Sequence, residues 1–344
     1  MSRGRFGLLV QALVIILVAC VATTAAEPLG CDSRSICDYG VLPGVWKEQG
    51  TPQWELVSQC CKLRDLVGEA LQAPADWNST HDGEPAVRIL IFGDSVERIT
   101  LHDLCDQDQW DNWGHDQTLF HSCRRGRVLL SRQSMIGVHP DGPYHLGMTG
   151  SPFQRILNGF ASHRSFTGHE PDAVMFSSIL WDLQRWGHYE PDKIAGKELA
   201  PATLAEWSGQ FLNVLRFMKE NSPAAAVRLF KTTVPPLTKD CASSGDGRFQ
   251  GACTVAEMGR KGHVLALNAV ARGAAEAEGW ATIDLSPVIG YLPEREYLRD
   301  MHHPSKQISL TALNILLNVV FSRLKANAGQ ATFVNQDIWG PGSS

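Results

Sequence analysis

The stretch VRILIFGDS, residues 87–95, decides the fold of this chain. Residues 87–92 form a largely apolar run of the β type, which predicts a buried strand. Gly93 and Asp94 follow as a tight turn, and Ser95 comes directly before a helical pattern. A strand that ends in such a turn brings a serine hydroxyl to the carboxyl edge of a sheet, where a nucleophile is accessible.

A second motif, DMHHP at residues 300–304, precedes the last amphipathic segment. A nucleophilic serine needs a base within hydrogen-bond reach and a third group that orients the base. Ser95, His303 and Asp300 are therefore the candidate catalytic residues, as nucleophile, base and orienting carboxylate. The Asp-x-x-His spacing favours His303 over the adjacent His302 as the base, and His302 becomes a candidate substrate-binding residue.

Apolar β-type runs alternate with helical patterns from about residue 86 onward. This alternation predicts an α/β fold in which helices cover both faces of a mainly parallel, five-stranded sheet. The predicted strands are 87–92, 128–130, 173–176, 227–233 and 281–285. The predicted helices are 97–104, 201–219, 254–278 and 305–324, with Ser305 as the N-cap of the last. Ligands of such sheets bind beyond the carboxyl ends of the strands, where the two motifs would converge.

Residues 1–26 are predicted to be a signal peptide, because two arginines precede an apolar run and small residues at 22–26 suit cleavage. The alternative is an uncleaved anchor of a Golgi type II membrane protein, although the run falls slightly short of the ~20 residues that span a bilayer. The remainder is expected to be secreted or lumenal in both cases. We predict a disulfide-stapled N-terminal wrap at 27–85, the main domain at 86–325 and a C-terminal tail at 326–344.

The 344-residue chain has the composition of a globular protein, with 44% hydrophobic and 19% charged residues. Its net charge of -5 is spread along the sequence, so there is no basic stripe for nucleic acid and no polybasic run for an anionic membrane. We expect no cofactor and no metal, since no Cys-x-x-Cys pair occurs and zinc thiolates compete poorly with oxidation in the secretory pathway. Asn78 begins an Asn-Ser-Thr glycosylation sequon, which suits the same compartment.

Of nine cysteines, Cys20 lies in the predicted signal segment, which leaves eight: Cys31, Cys37, Cys60, Cys61, Cys105, Cys123, Cys241 and Cys253. An even count in an oxidising compartment predicts disulfides. The last four bracket two loop-like stretches, which predicts one local pair at 105 and 123 and another at 241 and 253. The first four allow three connectivities, although the adjacent pair at 60 and 61 is not expected to bond to itself.

The two motifs resemble those of the GDSL/SGNH hydrolase superfamily, over about residues 86–325. More narrowly, GDSVER at 93–98 resembles the Gly-Asp-Ser-x-x-Arg pattern of the PC-esterase branch, which includes the plant trichome-birefringence-like polysaccharide O-acetyltransferases. The resemblance implies a three-layer α/β/α sandwich in which Ser95 is the nucleophile and Asp300 and His303 complete a triad. The plant enzymes have Asp-Cys-x-His-Trp where this chain has DMHHP, so their specific substrate does not carry over.

A further departure concerns the donors for the oxyanion. The superfamily has Gly-x-Asn-Asp in its third block, with an Asn side chain that donates to the oxyanion, whereas the matching stretch SILWD at 178–182 has no Asn. Loss of one such donor typically costs ~10²- to 10³-fold in turnover. The backbone N–H of Ser95, at the start of a helix, is the first candidate donor. Arg98, one helical turn after Ser95, is the candidate replacement for the Asn. The second-block Gly of the superfamily has no assigned counterpart, and the backbone N–H of Gly147 or Gly150 is its candidate. Asp94 and Asp182 are expected to be hydrogen-bond acceptors that orient loops.

Tryptophans offer a candidate surface for a sugar ring. Trp181, together with Trp110, Trp113 and Trp186, would form an apolar platform of the kind that carbohydrates stack on. The alternative is that these side chains are packed in the core, as tryptophans commonly are.

These features predict a serine esterase or acyl (acetyl) transferase that acts on O-acyl esters, of carbohydrate in particular, through a Ser-His-Asp acyl-enzyme mechanism. An alternative, motivated by the missing Asn, is a catalytically inactive SGNH-like protein that binds carbohydrate or acts at the cell surface. A third hypothesis is a metal-dependent phosphoesterase with Asp94, His302 and His303 as ligands.

The disulfide hypothesis predicts that the mature, denatured protein contains no free thiol among its eight cysteines. Alkylation without reduction, followed by mass spectrometry, should leave the protein unmodified. Labelling of two or more cysteines would contradict the hypothesis.

Overall fold

The computed structural model describes residues 37–47, 53–58, 60–77, 87–105, 120–141, 150–236, 261–290, 292–300 and 302–327. These residues belong to one compact unit, Ile36–Ser344. The predictions for the signal segment, Cys31, Asn78, Trp110, Trp113, Gly147, Cys241, Cys253 and the tail beyond 327 concern residues outside these ranges.

A seven-stranded sheet with the order β3-β5-β6-β4-β7-β8-β9 forms the centre of the described structure. Its strands are β3 (Ala75–Trp77), β4 (Val87–Gly93), β5 (His121–Arg125), β6 (Val128–Ser134), β7 (Ala173–Ser177), β8 (Val227–Lys231) and β9 (Ala281–Ile283), and a separate antiparallel hairpin joins β1 (Gly44–Lys47) to β2 (Gln53–Leu56). Five adjacent strands are parallel to one another, namely β6, β4, β7, β8 and β9. They are the five predicted strands, so the predicted mainly parallel α/β class is confirmed.

Two further strands extend one edge of the sheet. β5 pairs antiparallel with β6, and β3 pairs antiparallel with β5. Neither was predicted, because their sequences, HSCRR and ADW, lack the apolar run or the alternation that marks a strand. β3 precedes residue 86, so the segment that was predicted to wrap the domain also contributes to its sheet.

Nine α-helices surround the sheet in the described ranges: α1 (Leu66–Leu71), α2 (Ser95–Cys105), α3 (Pro152–Thr167), α4 (Leu180–Tyr189), α5 (Pro201–Asn221), α6 (Lys261–Ala277), α7 (Ser286–Ile289), α8 (Glu294–Tyr297) and α9 (Lys306–Asn327). Side chains alternate across β4. Ile89 and Ile91 pack in an apolar cluster with residues of α2 and α9, while Leu90 and Phe92 pack in a second cluster with residues of α3, α5 and α6. The result is the predicted three-layer sandwich.

The last helix, α9, is the one described helix that is long and apolar enough to cross a membrane by length and composition. Many of its apolar residues, including Leu313, Leu316 and Val320, are buried in the cluster beneath the sheet. Ser305 caps its first turn as predicted, because its Oγ accepts a hydrogen bond from the Ile308 backbone N–H at 3.4 Å.

Disulfides join elements that lie outside the parallel core. Cys105 at the end of α2 is bonded to Cys123 on β5, which confirms the predicted local pair. Cys37 is bonded to Cys61, and Cys60 is also disulfide-bonded. The adjacent cysteines at 60 and 61 therefore do not pair with each other, as predicted.

The strand order places a switch point at the carboxyl end of β4. β4 lies between β6 and β7. The connection after β4 leads to β5 and β6 on one flank of β4, and the connection after β6 crosses to β7 on the other flank. In open α/β sheets this is where a crevice forms for ligands.

A buried ion pair lies close to this point. Lys231 Nζ at the end of β8 is 2.7 Å from Glu97 Oε1 on α2, and both side chains are almost fully buried.

We predict that Lys231→Met lowers the free energy of unfolding by about 3–5 kcal/mol, because it leaves the Glu97 carboxylate buried without its partner. The double variant Glu97→Gln/Lys231→Met should lose less stability than the single variant, because no unpaired charge remains. Urea denaturation of the three proteins measures these differences. Equal or greater destabilisation of the double variant would rule out strong coupling between the two charges.

Candidate active site

The turn after β4 is shaped by the close packing of one side chain. A Cβ built on Gly93 would lie 2.1 Å from Glu97 Cγ and 2.6 Å from its Cβ, so no larger residue fits there. The Asp94 carboxylate accepts a hydrogen bond from the Val96 backbone N–H at 2.9 Å, which starts helix α2 at Ser95. The Ser95 hydroxyl therefore lies at the carboxyl edge of the sheet, on the first residue of a helix.

Ser95, His303 and Asp300 form a continuous series of hydrogen bonds. Ser95 Oγ is 2.8 Å from His303 Nε2, and His303 Nδ1 is 2.7 Å from Asp300 Oδ2. The second carboxylate oxygen of Asp300 accepts the backbone N–H groups of His302 and His303 at 2.9 and 2.8 Å. The structure thus brings together the three residues that the two motifs predicted.

The protonation of this series follows from the environment of Asp300. Burial alone would raise the pKa of Asp300, but the hydrogen bond and the charge of His303, together with the two backbone N–H groups, hold that pKa well below its usual range. An ionised carboxylate accepts hydrogen bonds and donates none, so the imidazole proton lies on Nδ1. His303 Nε2 then has a lone pair that accepts the hydrogen bond from the Ser95 hydroxyl.

The loop that carries the histidine is fixed to the helix that carries the serine. Within the loop, the Arg299 N–H donates to His303 O at 2.9 Å, and the Arg299 side chain donates to Pro304 O at 2.8 Å. The Arg299 guanidinium also forms an ion pair with Asp103 on α2. Because Ser95 begins α2, this ion pair links the position of His303 to that of Ser95.

Asp182 and Ser178 organise the loop that follows β6. The Asp182 carboxylate accepts the Val138 backbone N–H and the Trp207 indole N–H, each at 2.9 Å. Burial raises the pKa of Asp182 to about 6, with these hydrogen bonds acting in the opposite direction. The Gly137 backbone N–H donates to Ser178 Oγ at 3.0 Å. In the described contacts, Asp182 acts as an acceptor that orients a loop.

The candidate oxyanion donors differ in their surroundings. Arg98 is partly buried on α2, where burial and the charge of Arg132 lower its pKa to about 9, so the guanidinium is still charged at neutral pH. Gly150 has a φ of 95° and directly precedes Ser151, the N-cap of α3. Arg155 donates to its carbonyl oxygen at 3.4 Å.

Arg132, on β6, supports the turn and was not predicted. Its Nε lies 3.2 Å from Gly93 O and 3.1 Å from Asp94 O, and its Nη2 donates to Ser134 Oγ at 3.3 Å. The side chain is 2% exposed, and its Nη1 makes no hydrogen bond in the described structure. The only sequence signal was a charged residue that continues an apolar strand, and the predicted strand stopped before it.

The remaining predicted residues lie in different settings. The His302 ring is 3.9 Å from the His303 ring, and burial together with the charge of His303 lowers the pKa of His302 to about 4, so it is neutral at physiological pH. Trp181 is partly exposed in the first turn of α4. Trp186 is 2% exposed and packs in the core, so it does not contribute to a sugar platform.

The ligand set of the phosphoesterase hypothesis is not assembled. In the described ranges, the His, Cys, Asp and Glu side chains close enough to share one metal ion are Asp300, His302 and His303. Asp94 lies outside this group because its side chain is buried beneath the turn. Burial and the charge of Glu97 raise the pKa of Asp94 to about 6, against the hydrogen bond from Val96.

A scan against protein-family models and a search of curated proteins returned no match. Among solved structures, the chain resembles a GDSL-like lipase from Bacteroides thetaiotaomicron, with 13% identity, a TM-score of 0.40 and coverage of 69% of this chain and 91% of that one. An extracellular lipase from Streptomyces rimosus has 14% identity and a TM-score of 0.36, with coverage of 67% and 98%. A phospholipase A1 from Streptomyces albidoflavus has 12% identity and a TM-score of 0.36, with coverage of 67% and 98%.

The loop after β6 yields a stability prediction with a matched control. Gly137 has a φ of 73°, and a Cβ there would lie 2.2 Å from Asp182 Oδ1. The Asp182 carboxylate is held in place by the Val138 backbone N–H at Oδ1 and by the Trp207 indole N–H at Oδ2. Gly279 has a similar φ of 80° with nothing within 4 Å of its Cβ position. Gly279→Ala should cost about 1–2 kcal/mol from backbone conformation alone, and Gly137→Ala about 1–3 kcal/mol more from the steric clash. Urea denaturation measures both, and equal costs would contradict the fixed position of Asp182.

Proposed function

We propose that this protein is a serine esterase or acyltransferase of the SGNH type. One observation carries the proposal: a serine hydroxyl at a strand-to-helix turn is hydrogen-bonded to His303 Nε2 at 2.8 Å, and the other nitrogen of this imidazole is hydrogen-bonded to the partly buried carboxylate of Asp300 at 2.7 Å. Nucleophile, base and orienting group are thus within direct reach of one another, which is the requirement for acyl transfer through a covalent intermediate.

In the first half of the reaction, Ser95 Oγ attacks the carbonyl carbon of the ester while its proton passes to His303 Nε2. The imidazolium that forms is stabilised by the ionised carboxylate of Asp300. The tetrahedral intermediate then collapses, the alcohol oxygen leaves with the proton from Nε2, and the acyl group remains on Ser95. In the second half, water or an acceptor hydroxyl gives its proton to Nε2 and attacks the acyl carbon. The second tetrahedral intermediate collapses, the bond between the acyl carbon and Ser95 Oγ breaks as Nε2 returns the proton to Oγ, and the product is released.

Negative charge develops on the carbonyl oxygen in both halves. The backbone N–H of Ser95 is the first candidate donor to this oxygen, because it lies at the N-terminus of α2, where backbone N–H groups have no partner within the helix. The Arg98 guanidinium and the Gly150 backbone N–H are the further candidates. Together they would take the place of the Asn side chain that the third block lacks.

For the substrate, we propose an O-acyl ester of a carbohydrate, with O-acetyl groups as the first choice. Support comes from the GDSVER pattern at 93–98, which resembles the PC-esterase branch, and from the partly exposed Trp181 in the first turn of α4. We also propose that the protein acts in the secretory pathway or outside the cell, in keeping with its disulfides.

The proposal predicts that a fluorophosphonate forms one covalent adduct on the folded protein and that the adduct maps to Ser95. Ser95→Ala and His303→Ala should each lower ester turnover by about 10⁴-fold or more, since the triad acts as a unit. Intact-protein and peptide mass spectrometry measure the adduct, and hydrolysis of an aryl acetate measures turnover.

Ser286→Ala is the matched control, because Ser286 is also the first residue of a helix but is exposed and is not part of the triad. This variant should label and turn over like the parent protein. No adduct on protein that is folded by circular dichroism would defeat the proposal and favour the inactive, carbohydrate-binding alternative.

A further inference from the structure

We propose that Asp300, His302 and His303 form a site at which Zn²⁺ binds reversibly and switches the active site off. The binding part of this proposal depends only on the three side chains. The switching part rests on the proposed function, because it requires that His303 act as the base for Ser95.

The geometry of the three residues suits a shared ion. Their ligating atoms all lie within 4.8 Å of one another. His302 Nδ1 is 3.9 Å from Asp300 Oδ1, which is too long for a hydrogen bond. Two ligands of a tetrahedral zinc ion, each about 2.0–2.1 Å from the metal, lie about 3.4 Å apart. A small movement of either side chain would therefore bring both atoms to coordinating distance.

His302 is the residue that the proposed triad does not use. Its Nδ1 is buried and has no hydrogen-bond partner in the described structure. Buried polar atoms are nearly always hydrogen-bonded. Both ring nitrogens of His163 also lack a partner in the described structure, but the His302 Nδ1 differs in having a carboxylate and a second imidazole within 4.8 Å. A metal ion between Nδ1 and the Asp300 carboxylate would satisfy this atom.

The chemical nature of the ligands favours zinc. Two imidazoles and one carboxylate form a common three-ligand set for zinc and leave a coordination position for water. Hard ions such as Mg²⁺ and Ca²⁺ favour oxygen ligands instead. The site is therefore expected to bind Zn²⁺ in preference to Mg²⁺ and Ca²⁺.

Binding would change the tautomer of His303. Zinc takes the Nδ1 lone pair, so the proton that Nδ1 donated to Asp300 moves to Nε2, and the ring remains neutral with one proton as before. Nε2–H then donates to Ser95 Oγ and has no lone pair to accept the hydroxyl proton. Asp300 now coordinates the metal instead of orienting the base. The serine loses its base without any covalent change, so removal of the metal restores the original state.

Binding is tested on Ser95→Ala, which keeps all three ligands and cannot form an acyl-enzyme. Competition with a chromogenic zinc chelator should give one site per chain, and His302→Gln in the same background should weaken that site at least 10-fold. His169→Gln is the matched control, since His169 is exposed and remote in sequence from the loop. Circular dichroism checks the fold of each variant, and His302→Leu serves as a second variant if the first is unstable.

Switching is tested by the rate at which a fluorophosphonate labels Ser95 in the parent protein. Zinc at saturating concentration should lower this rate at least 10-fold, and EDTA should restore it. In His302→Gln, the ratio of the rates with and without that zinc concentration should be close to one. The proposal is overturned if His302→Gln binds zinc as tightly as its parent. It is also overturned if zinc binds to the parent protein without changing the rate at which Ser95 is labelled. Zinc that binds through His302 to a protein whose Ser95 never labels would support the metal site and reject the esterase.

Discussion

The contact between Glu97 and Gly93 is the constraint on which the site depends. Glu97 Cγ occupies the space that any Cβ at Gly93 would need, so the chain can leave β4 only through a glycine and turns at once into α2. Glu97 is held there by Lys231, which comes from β8, two strands away from β4 in the sheet. The position of the Ser95 hydroxyl is therefore set by the order of the strands as well as by the local turn.

Helix α2 transmits this constraint to the rest of the site. Ser95 is at its beginning, Asp103 near its end forms the ion pair with Arg299, and Cys105 at its last residue is bonded to β5. The loop with His303 is thus tied to the same element as the nucleophile. Under the proposed function this arrangement would serve catalysis, because a misplacement of about 1 Å between reacting groups can cost about 100-fold in rate.

The sequence predicted those parts of the molecule that are encoded locally. The parallel strands appear as apolar runs, and the turn at Gly93 and the spacing of Asp300 and His303 are short motifs, so both could be predicted. β3 and β5 were missed because their sequences lack an apolar run or a clear alternation. α3 and α4 were missed although their apolar residues recur at helical spacing. Arg132 was also missed, as was the Arg299 ion pair, whose partner is 196 residues away in the sequence. Such contacts between remote polar residues have no signal in a single sequence.

Arg132 also bears on the missing Asn of the third block. The carbonyl oxygen of Asp94 receives hydrogen bonds from Arg132 Nε at 3.1 Å and from the Arg98 backbone N–H at 3.2 Å. This carbonyl belongs to the same peptide group as the backbone N–H of Ser95. Donors at the oxygen of a peptide polarise it and strengthen its N–H as a donor, by about 10–30% for each bond in condensed-phase estimates. A buried guanidinium is a strong donor of this kind. Under the proposed function, part of the stabilisation that an Asn would supply directly is thus supplied through the Asp94–Ser95 peptide, by a side chain that need not touch the substrate.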